Sequence, residues 1–188
     1  SELENTNEMY AIAKIAGLKM CKAYNSQFKT DFRAVMPTNL YGQNDNYDSL
    51  NSHVLAALIK KIVLAKKQNK NSFIVWGTGK PKREFLHVDD LADATVKIMN
   101  LSKSKYNKVA GEKFPFINVG SGSDISIKDL AKLISKIVGF KGKMIFDKSK
   151  PDGTFRKLMD NTKLRKIKWK PKISLNSGIK KTIKDFKL

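Results

Sequence analysis

Apolar residues recur along the chain with two different periods, and these periods predict where helices and strands lie. Stripes at helical spacing predict helices over 7–28, 54–63, 89–99, 127–138 and 174–186. Short runs rich in β-branched and aromatic residues predict strands over 32–36, 72–76, 83–88, 114–119 and 143–147. The polar stretch 38–50 is predicted to be a loop. Strands that alternate with helices indicate an α/β fold.

Two pairs of glycines, at 77/79 and 120/122, follow predicted strands. Lys82 and Ile125 stand where the phosphate-binding pattern G-x-G-x-x-G requires a third glycine, so both pairs are interpreted as turns. The first predicted helix begins almost at residue 1 and has no strand before it. We therefore expect this sequence to be the carboxy-terminal portion of a longer protein.

The composition is that of a globular protein in a reducing compartment. Of 188 residues, 41% are hydrophobic and 29% charged, which is unlike a disordered chain. No apolar run approaches the roughly 20 residues of a membrane-spanning helix. The single cysteine, Cys21, excludes an internal disulfide and is interpreted as a core residue. With only two histidines besides, no metal site is expected, and we expect a cytoplasmic location without membrane contact.

The net charge of +20 first suggests nucleic acid. However, only four of the 37 basic residues are arginine, the residue that best recognises bases and phosphates. The lysines are spread over every predicted element. We therefore expect no nucleic-acid partner, although a basic cleft would suit a substrate that carries phosphates.

Tyr10 and Lys14 lie four residues apart in the first predicted helix, so their side chains share one face. A tyrosine hydroxyl can protonate a carbonyl oxygen when a nearby ammonium group stabilises the phenolate. In a sequence this rich in lysine, about one such spacing arises by chance. Taken alone, the pair therefore does not decide between chemistry and an ordinary helix surface.

Five blocks in order along the chain extend this signal: 10–17 (YAIAKIAG), 35–42 (VMPTNLYG), 76–90 (WGTGKPKREFLHVDD), 117–120 (INVG) and 150–153 (KPDG). Together they resemble the extended short-chain dehydrogenase/reductase family, and only 101–112 shows little of the resemblance. The segments 51–54 (NSHV) and 150–160 (KPDGTFRKLMD) point to the branch that acts on GDP-linked sugars.

The resemblance implies a fold and a domain division. The fold would be the carboxy-terminal part of a Rossmann-type doubly wound sheet, together with a smaller α/β substrate-binding domain. Residues 1–50 would belong to the NADP-binding domain and residues 51–188 mainly to the sugar-nucleotide-binding domain. In an alternative division, the segment 83–119 returns to the Rossmann sheet and belongs to the NADP-binding domain.

The resemblance also implies residue roles. Tyr10, Lys14 and His53 would be catalytic, with the imidazole of His53 exchanging protons near neutral pH. The cofactor NADP would contact the same three residues and a further four, which are Pro37, Thr38, Asn39 and Leu40. The sugar nucleotide would contact Lys61, Trp76, Arg83, Asp152 and Lys157. At position 61 the family typically has an arginine that binds substrate. Lys61 keeps the positive charge but lacks the two-pronged guanidinium group of arginine. His87 is interpreted as structural.

The implied activity is epimerisation at C3 and C5 and reduction at C4 of a GDP-linked keto sugar, by a homodimer that associates through the Tyr10 helix. Another nucleotide-sugar epimerase or dehydratase of the same family is one alternative. A sugar-nucleotide-binding fragment without activity is a second alternative, and a basic nucleic-acid-binding module is a third. Sugar-nucleotide specificity and NADPH binding would separate them.

Overall fold

A computed structural model describes residue 3 and residues 7–48, 52–112 and 115–186. Its helices are α1 (Glu8–Phe28), α2 (Val54–Lys67), α3 (Val88–Met99), α4 (Lys103–Ala110), α5 (Ile127–Val138), α6 (Thr162–Lys166) and α7 (Leu175–Asp185). Its strands are β1 (Ala34–Pro37), β2 (Asn39–Tyr41), β3 (Ser72–Trp76), β4 (Lys82–His87), β5 (Phe116–Val119), β6 (Asp124–Ser126), β7 (Lys143–Asp147) and β8 (Arg156–Lys157). The predicted α/β class is confirmed.

Most strand pairs are parallel and join distant parts of the chain. β1 pairs with β5, β2 with β4, and β3 with β7. β6 and β8 add to the first half of β4, the former antiparallel and the latter parallel. The strands at 82–87 and 116–119 thus pair with strands at 34–41, on the other side of residue 50. The division into domains at residue 50 stays a prediction.

Two apolar cores hold the elements together. The larger core joins α2, α5 and α7 to β3, and it contains Leu55, Ile59 and Ile134, none more than 1% exposed. The other joins α3, α4 and α6 to β5, with Ile117 and Trp169 among its buried residues. Burial of these aliphatic and aromatic side chains is the main stabilising contribution.

Helix α1 differs from the other long helices because none of its residues is buried. Its large apolar side chains are exposed, namely Met9, Tyr10, Ile12, Ile15, Met20, Tyr24 and Phe28. Cys21 is only partly buried. The interpretation of Cys21 as a core residue is therefore wrong, because helical periodicity identifies an apolar face without identifying what covers it.

The predicted loop over 38–50 is wrong at its beginning, where Asn39–Tyr41 forms β2. This strand has three residues and lies beside Pro37 and Gly42, so its own sequence carries little strand signal. The backbone of β4 stabilises it through parallel pairing of Tyr41 with His87. Of the predicted strand at 114–119, Phe114 lies outside the described residues, and β5 begins at Phe116.

Helix α7 approaches β2 closely at one glycine. Gly178 is buried, and a Cβ atom placed on it would lie 2.1 Å from the hydroxyl oxygen of Tyr41. Tyr41 is itself 2% exposed, and burial raises the pKa of its phenol. Glycine is therefore required at this helical position because the tyrosine ring occupies the space of a side chain.

His87 connects β4 to α3 and is buried, in agreement with its interpretation as structural. Its Nδ1 accepts a hydrogen bond from the Asp89 amide at 3.2 Å and caps α3. Its Nε2 is buried without a hydrogen-bond partner among the described residues. The ring of Tyr41 contacts it edge-on at 5.3 Å. The site therefore favours a neutral imidazole.

We expect the stability of the protein to fall in mild acid because of His87. Burial lowers its pKa, while the Asp89 carboxylate opposes that shift. The unfolded chain therefore binds the proton of His87 more tightly than the folded chain does. The contribution of His87 to stability is complete above its ordinary pKa of 6.5 and is lost as the pH falls through its pKa in the folded protein. Thermal melting from pH 7.5 to about 5 measures it. His87→Asn keeps an N-cap acceptor and should reduce the fall of the melting temperature with falling pH. An unchanged pH dependence in this variant would show that His87 is not its source.

Candidate active site

Tyr10 and Lys14 lie on one face of α1, as their spacing predicts. The Nζ atom of Lys14 is 5.1 Å from the centre of the Tyr10 ring. Tyr10 is 59% exposed, so its hydroxyl is accessible from solvent. The ammonium group therefore lies over the Tyr10 ring, one helical turn further along α1.

A cleft of about 490 Å³ lies beside Tyr10, at the carboxyl end of β1. Its lining residues come from four separate regions of the chain: Tyr10, Pro37, Thr38, Asn39, Leu40, His53, Lys157 and Met159. Crevices at the carboxyl ends of parallel strands are the usual ligand sites of α/β folds. All the residues predicted to contact the cofactor line this cleft except Lys14, which contacts Tyr10.

The polar residues of the cleft are held by the backbone of β4. The Thr38 hydroxyl and the Asn39 side-chain amide donate to the carbonyl oxygen of Glu84 at 3.2 and 2.8 Å. His53 is exposed at the N-terminus of α2, where its side chain makes no capping hydrogen bond. Its imidazole therefore faces the cleft without a structural bond of its own at that helix end.

Two smaller depressions, about 200 and 190 Å³, lie next to the cleft and share Val54, Trp76 and Ile127. The Trp76 indole is 54% exposed and has a lysine ammonium on its surface, with Lys61 Nζ at 4.6 Å and Lys150 Nζ at 5.7 Å. Burial lowers the pKa of Lys61, and the carboxylate of Asp147 opposes this. The depressions thus combine a flat aromatic surface with cations.

Arg83 and Asp152 line one of these depressions, but both already have protein partners. Arg83 Nη1 donates to the Lys82 and Thr154 carbonyl oxygens at 2.8 and 2.6 Å. Burial lowers its pKa. Asp152 accepts from the amide and hydroxyl of Thr78, each at 2.7 Å, and these hydrogen bonds lower its pKa. Asp152 therefore fixes the turn after β3 as well as facing the depression.

Comparison with known proteins shows the family to which the chain belongs. A model of the NAD dependent epimerase/dehydratase family matches residues 1–113, more than half of the chain. The chain belongs to this epimerase/dehydratase family.

Several members of the epimerase/dehydratase family are close in sequence. A putative GDP-L-fucose synthase 2 of Arabidopsis thaliana is 55% identical over 96% of this chain and 52% of its own length. GDP-L-fucose synthase of Escherichia coli K12 is 50% identical over 98% of this chain and 57% of its own. The chain spans about half the length of these curated relatives.

Solved structures agree with the fold of the chain. A GDP-D-glycero-L-gluco-heptose synthase from Campylobacter jejuni, solved in the presence of NADPH, has a TM-score of 0.87 and 35% identity, covering 98% of this chain and 62% of that one. A GDP-L-fucose synthetase from Naegleria fowleri bound to NADP has a TM-score of 0.84 and 30% identity, covering 96% and 56%. The Rossmann-type fold of epimerase/dehydratase enzymes is thereby confirmed.

Sequence reasoning missed Met159, which lines the cleft, and Glu84, which accepts hydrogen bonds from three lining residues. Met159 lines the cleft, and the only sequence signal for it was the family resemblance of the segment 150–160. Glu84 lies behind the cleft with no exposed surface. Its position in a strand whose next three residues are apolar or aromatic could have marked it as a buried carboxylate. Asn51, part of the 51–54 segment, lies outside the described residues.

Across residues 7–48, 52–112 and 115–186, no three acidic, histidine or cysteine side chains come together as metal ligands would. No described helix is long and apolar enough to cross a membrane. The groups that face the cleft are a phenol, an imidazole, an amide, a hydroxyl and an ammonium group.

Proposed function

We propose that this chain carries the catalytic tyrosine and the sugar-nucleotide site of an NADPH-dependent enzyme. The enzyme converts GDP-4-dehydro-6-deoxy-D-mannose to GDP-L-fucose by epimerisation at C3 and C5 and reduction at C4. The cleft that Tyr10, residues 37–40, His53 and Lys157 share is the observation that supports the proposal most directly. Identities of 50–55% to GDP-L-fucose synthases support the choice of substrate.

In the proposed reaction, Tyr10 donates its hydroxyl proton to the C4 carbonyl oxygen as that oxygen gains charge. Lys14 stabilises the resulting phenolate and has donors left for a ribose hydroxyl. The cleft fits the cofactor because Pro37 and Leu40 offer apolar surface to a ring, next to the polar Thr38 and Asn39. When bound there, NADPH supplies the hydride for reduction.

His53 has the second proton role in this proposal. Epimerisation next to a ketone removes one proton and returns another to the opposite face of the same carbon. An imidazole that faces the cleft can return the proton near neutral pH. Tyr10 and His53 thereby serve different steps in one cleft.

We propose that the neighbouring depressions hold the GDP moiety. The Trp76 indole offers a surface for a base or ribose, while Arg83 and Lys61 supply positive charge for a diphosphate. Lys157 lies at the cleft and would reach the sugar side. This local grouping of cations favours a sugar nucleotide over a nucleic acid as the anionic partner.

A direct assay tests the proposed function. The protein is incubated with NADPH and GDP-4-dehydro-6-deoxy-D-mannose, and the formation of GDP-L-fucose is followed by chromatography. UDP- and dTDP-linked keto sugars serve as substrates for the related epimerases and dehydratases. Preferential turnover of a UDP- or dTDP-sugar would contradict the proposal. Binding of GDP-sugar without turnover would favour a second candidate, a sugar-nucleotide-binding fragment, which the absence of G-x-G-x-x-G from the chain supports.

Trp76 offers a binding measurement that is independent of turnover. We expect GDP-mannose to quench its fluorescence, because the indole is 54% exposed whereas Trp169 is 5% exposed and constant. Trp76→Ala should weaken binding up to about tenfold, the usual worth of an aromatic contact. Binding to this variant is measured by calorimetry. Ile74→Ala, an exposed residue of the same strand outside both depressions, is the control and should bind normally.

We also propose that the enzyme is a homodimer in the cytoplasm. The exposed apolar side chains of α1 would be covered by a second copy of the helix, which sedimentation equilibrium measures. The single free cysteine and a nucleotide-linked substrate are consistent with a reducing compartment.

A further inference from the structure

Among the acidic residues that the structure describes, only Glu84 is 0% exposed. A buried carboxylate is costly unless hydrogen bonds replace the water that it loses. Glu84 meets this requirement without a cation. Its Oε1 accepts from the Gly122 amide at 2.6 Å and the Ser121 hydroxyl at 3.4 Å, and its Oε2 accepts from the Met159 amide at 2.9 Å.

The partners of Glu84 lie on two sides of the active cleft. Its backbone carbonyl holds Thr38 and Asn39, which form the cofactor side of the proposed site. Its carboxylate holds Met159, which lines the cleft two residues after Lys157. One residue of β4 therefore connects both walls.

The surrounding sequence is adapted to this carboxylate. A Cβ atom on Gly120 would lie 2.4 Å from Glu84 Oε1, so the turn after β5 can approach the carboxylate only with glycine there. Segment 158–160 is also held at Asp160, whose carbonyl oxygen accepts from the Asn118 side-chain amide at 3.0 Å and whose carboxylate accepts from the Thr162 amide and hydroxyl at 2.8 and 2.6 Å. The Glu84 bond holds Met159, whereas Lys157 is held by the pairing of β8 with β4.

We propose that Glu84 is a positioning residue whose buried carboxylate holds Met159 in the wall that faces the bound sugar nucleotide. This inference rests on the proposed function of the cleft. The contacts of Glu84 with Thr38 and Asn39 use the backbone carbonyl, which a side-chain substitution leaves in place, whereas its contact with Met159 uses the carboxylate. The two sides of the site should therefore respond differently to the same variant.

Glu84→Gln tests the proposal because it keeps the shape of the side chain and changes one acceptor into a donor. The new NH2 group must face the amide of Gly122 or Met159, both of which are donors. We expect binding of GDP-mannose to weaken about tenfold, as for a lost hydrogen bond to a charged acceptor. NADPH binding should change less than about twofold.

Asp90→Asn is the matched control. Asp90 is also buried, at 2% exposure, and accepts two backbone amides, from Lys172 and Ile173 at 3.0 Å each. Its partners lie outside the cleft. If Glu84 were only structural, both variants would lose stability and neither would lose GDP-mannose affinity, which would overturn the proposal.

Hydrogen exchange and a second variant complete the test. Faster exchange of the Met159 amide in Glu84→Gln, but not in Asp90→Asn, is expected, and equal exchange would count against the proposal. Gly120→Ala keeps the carboxylate but displaces it, so this variant should also weaken GDP-mannose binding. It provides the test if Glu84→Gln does not fold. Failure of the unsubstituted protein to bind GDP-mannose would overturn the proposed function itself, whereas normal binding by both variants would overturn only the role of Glu84.

Discussion

Replacing Tyr10 with phenylalanine is expected to slow reduction at C4 by about 10²–10⁴-fold, the usual effect of removing a general acid. The ring and its contact with Lys14 remain, so the affinity for NADPH should stay close to normal. Proton exchange at C3 and C5, followed in deuterated water, should continue because it depends on His53 in the proposed mechanism. The expected pattern is thus a loss of reduction with retention of epimerisation.

Tyr24→Phe is the control for this experiment. Tyr24 lies on the same helix and is 46% exposed, but it is absent from the cleft lining. The same chemical change there should leave both steps intact. Reduction by Tyr10→Phe within tenfold of the unsubstituted rate would show that another group donates the proton.

Replacing Gly178 with alanine is expected to lower the free energy of unfolding by about 1–3 kcal/mol, the cost of overpacking a core. The added Cβ would lie 2.1 Å from the Tyr41 hydroxyl oxygen and 2.9 Å from the carbon that bears it. Neither Tyr41 nor α7 can move without disturbing the buried residues around them. Urea unfolding, followed by the fluorescence of buried Trp169, measures the change.

Gly17→Ala is the opposite case in another helix. An added Cβ at Gly17 meets no atom within 4 Å, so alanine should stabilise α1 by roughly 0.5–1 kcal/mol.

Combining Gly178→Ala with Tyr41→Phe removes the nearest atom, the Tyr41 hydroxyl oxygen, and should recover part of the lost stability. Strictly additive effects would contradict the contact, since residues that touch normally couple.

The sequence predicted best the features that depend on local periodicity. The stripe in α2 predicted a buried face, and Leu55, Leu58, Ile59 and Ile62 are buried. Long amphipathic helices can be predicted because each turn repeats the same signal. The pair Tyr10 and Lys14 is of this kind, since four residues along a helix fix their proximity.

Features that depend on distant partners were not predictable. β2 exists through its pairing with β4, and Met159 reaches the cleft through a hydrogen bond to Glu84, 75 residues away in sequence. Asp152 lines a depression with Trp76 and Arg83, but its two hydrogen bonds to Thr78 were not predicted. Such contacts are set by tertiary packing, which a single sequence does not display.

The active cleft takes its walls from residues as far apart as Tyr10 and Met159. On the ribosome, the helix that carries Tyr10 therefore leaves the exit tunnel long before the segment that closes the opposite wall has been synthesised. Closing loops of this length is entropically slow, and parallel pairing delays it further. The nascent chain must consequently carry the Tyr10 phenol without its cleft until residues 157–159 have been synthesised.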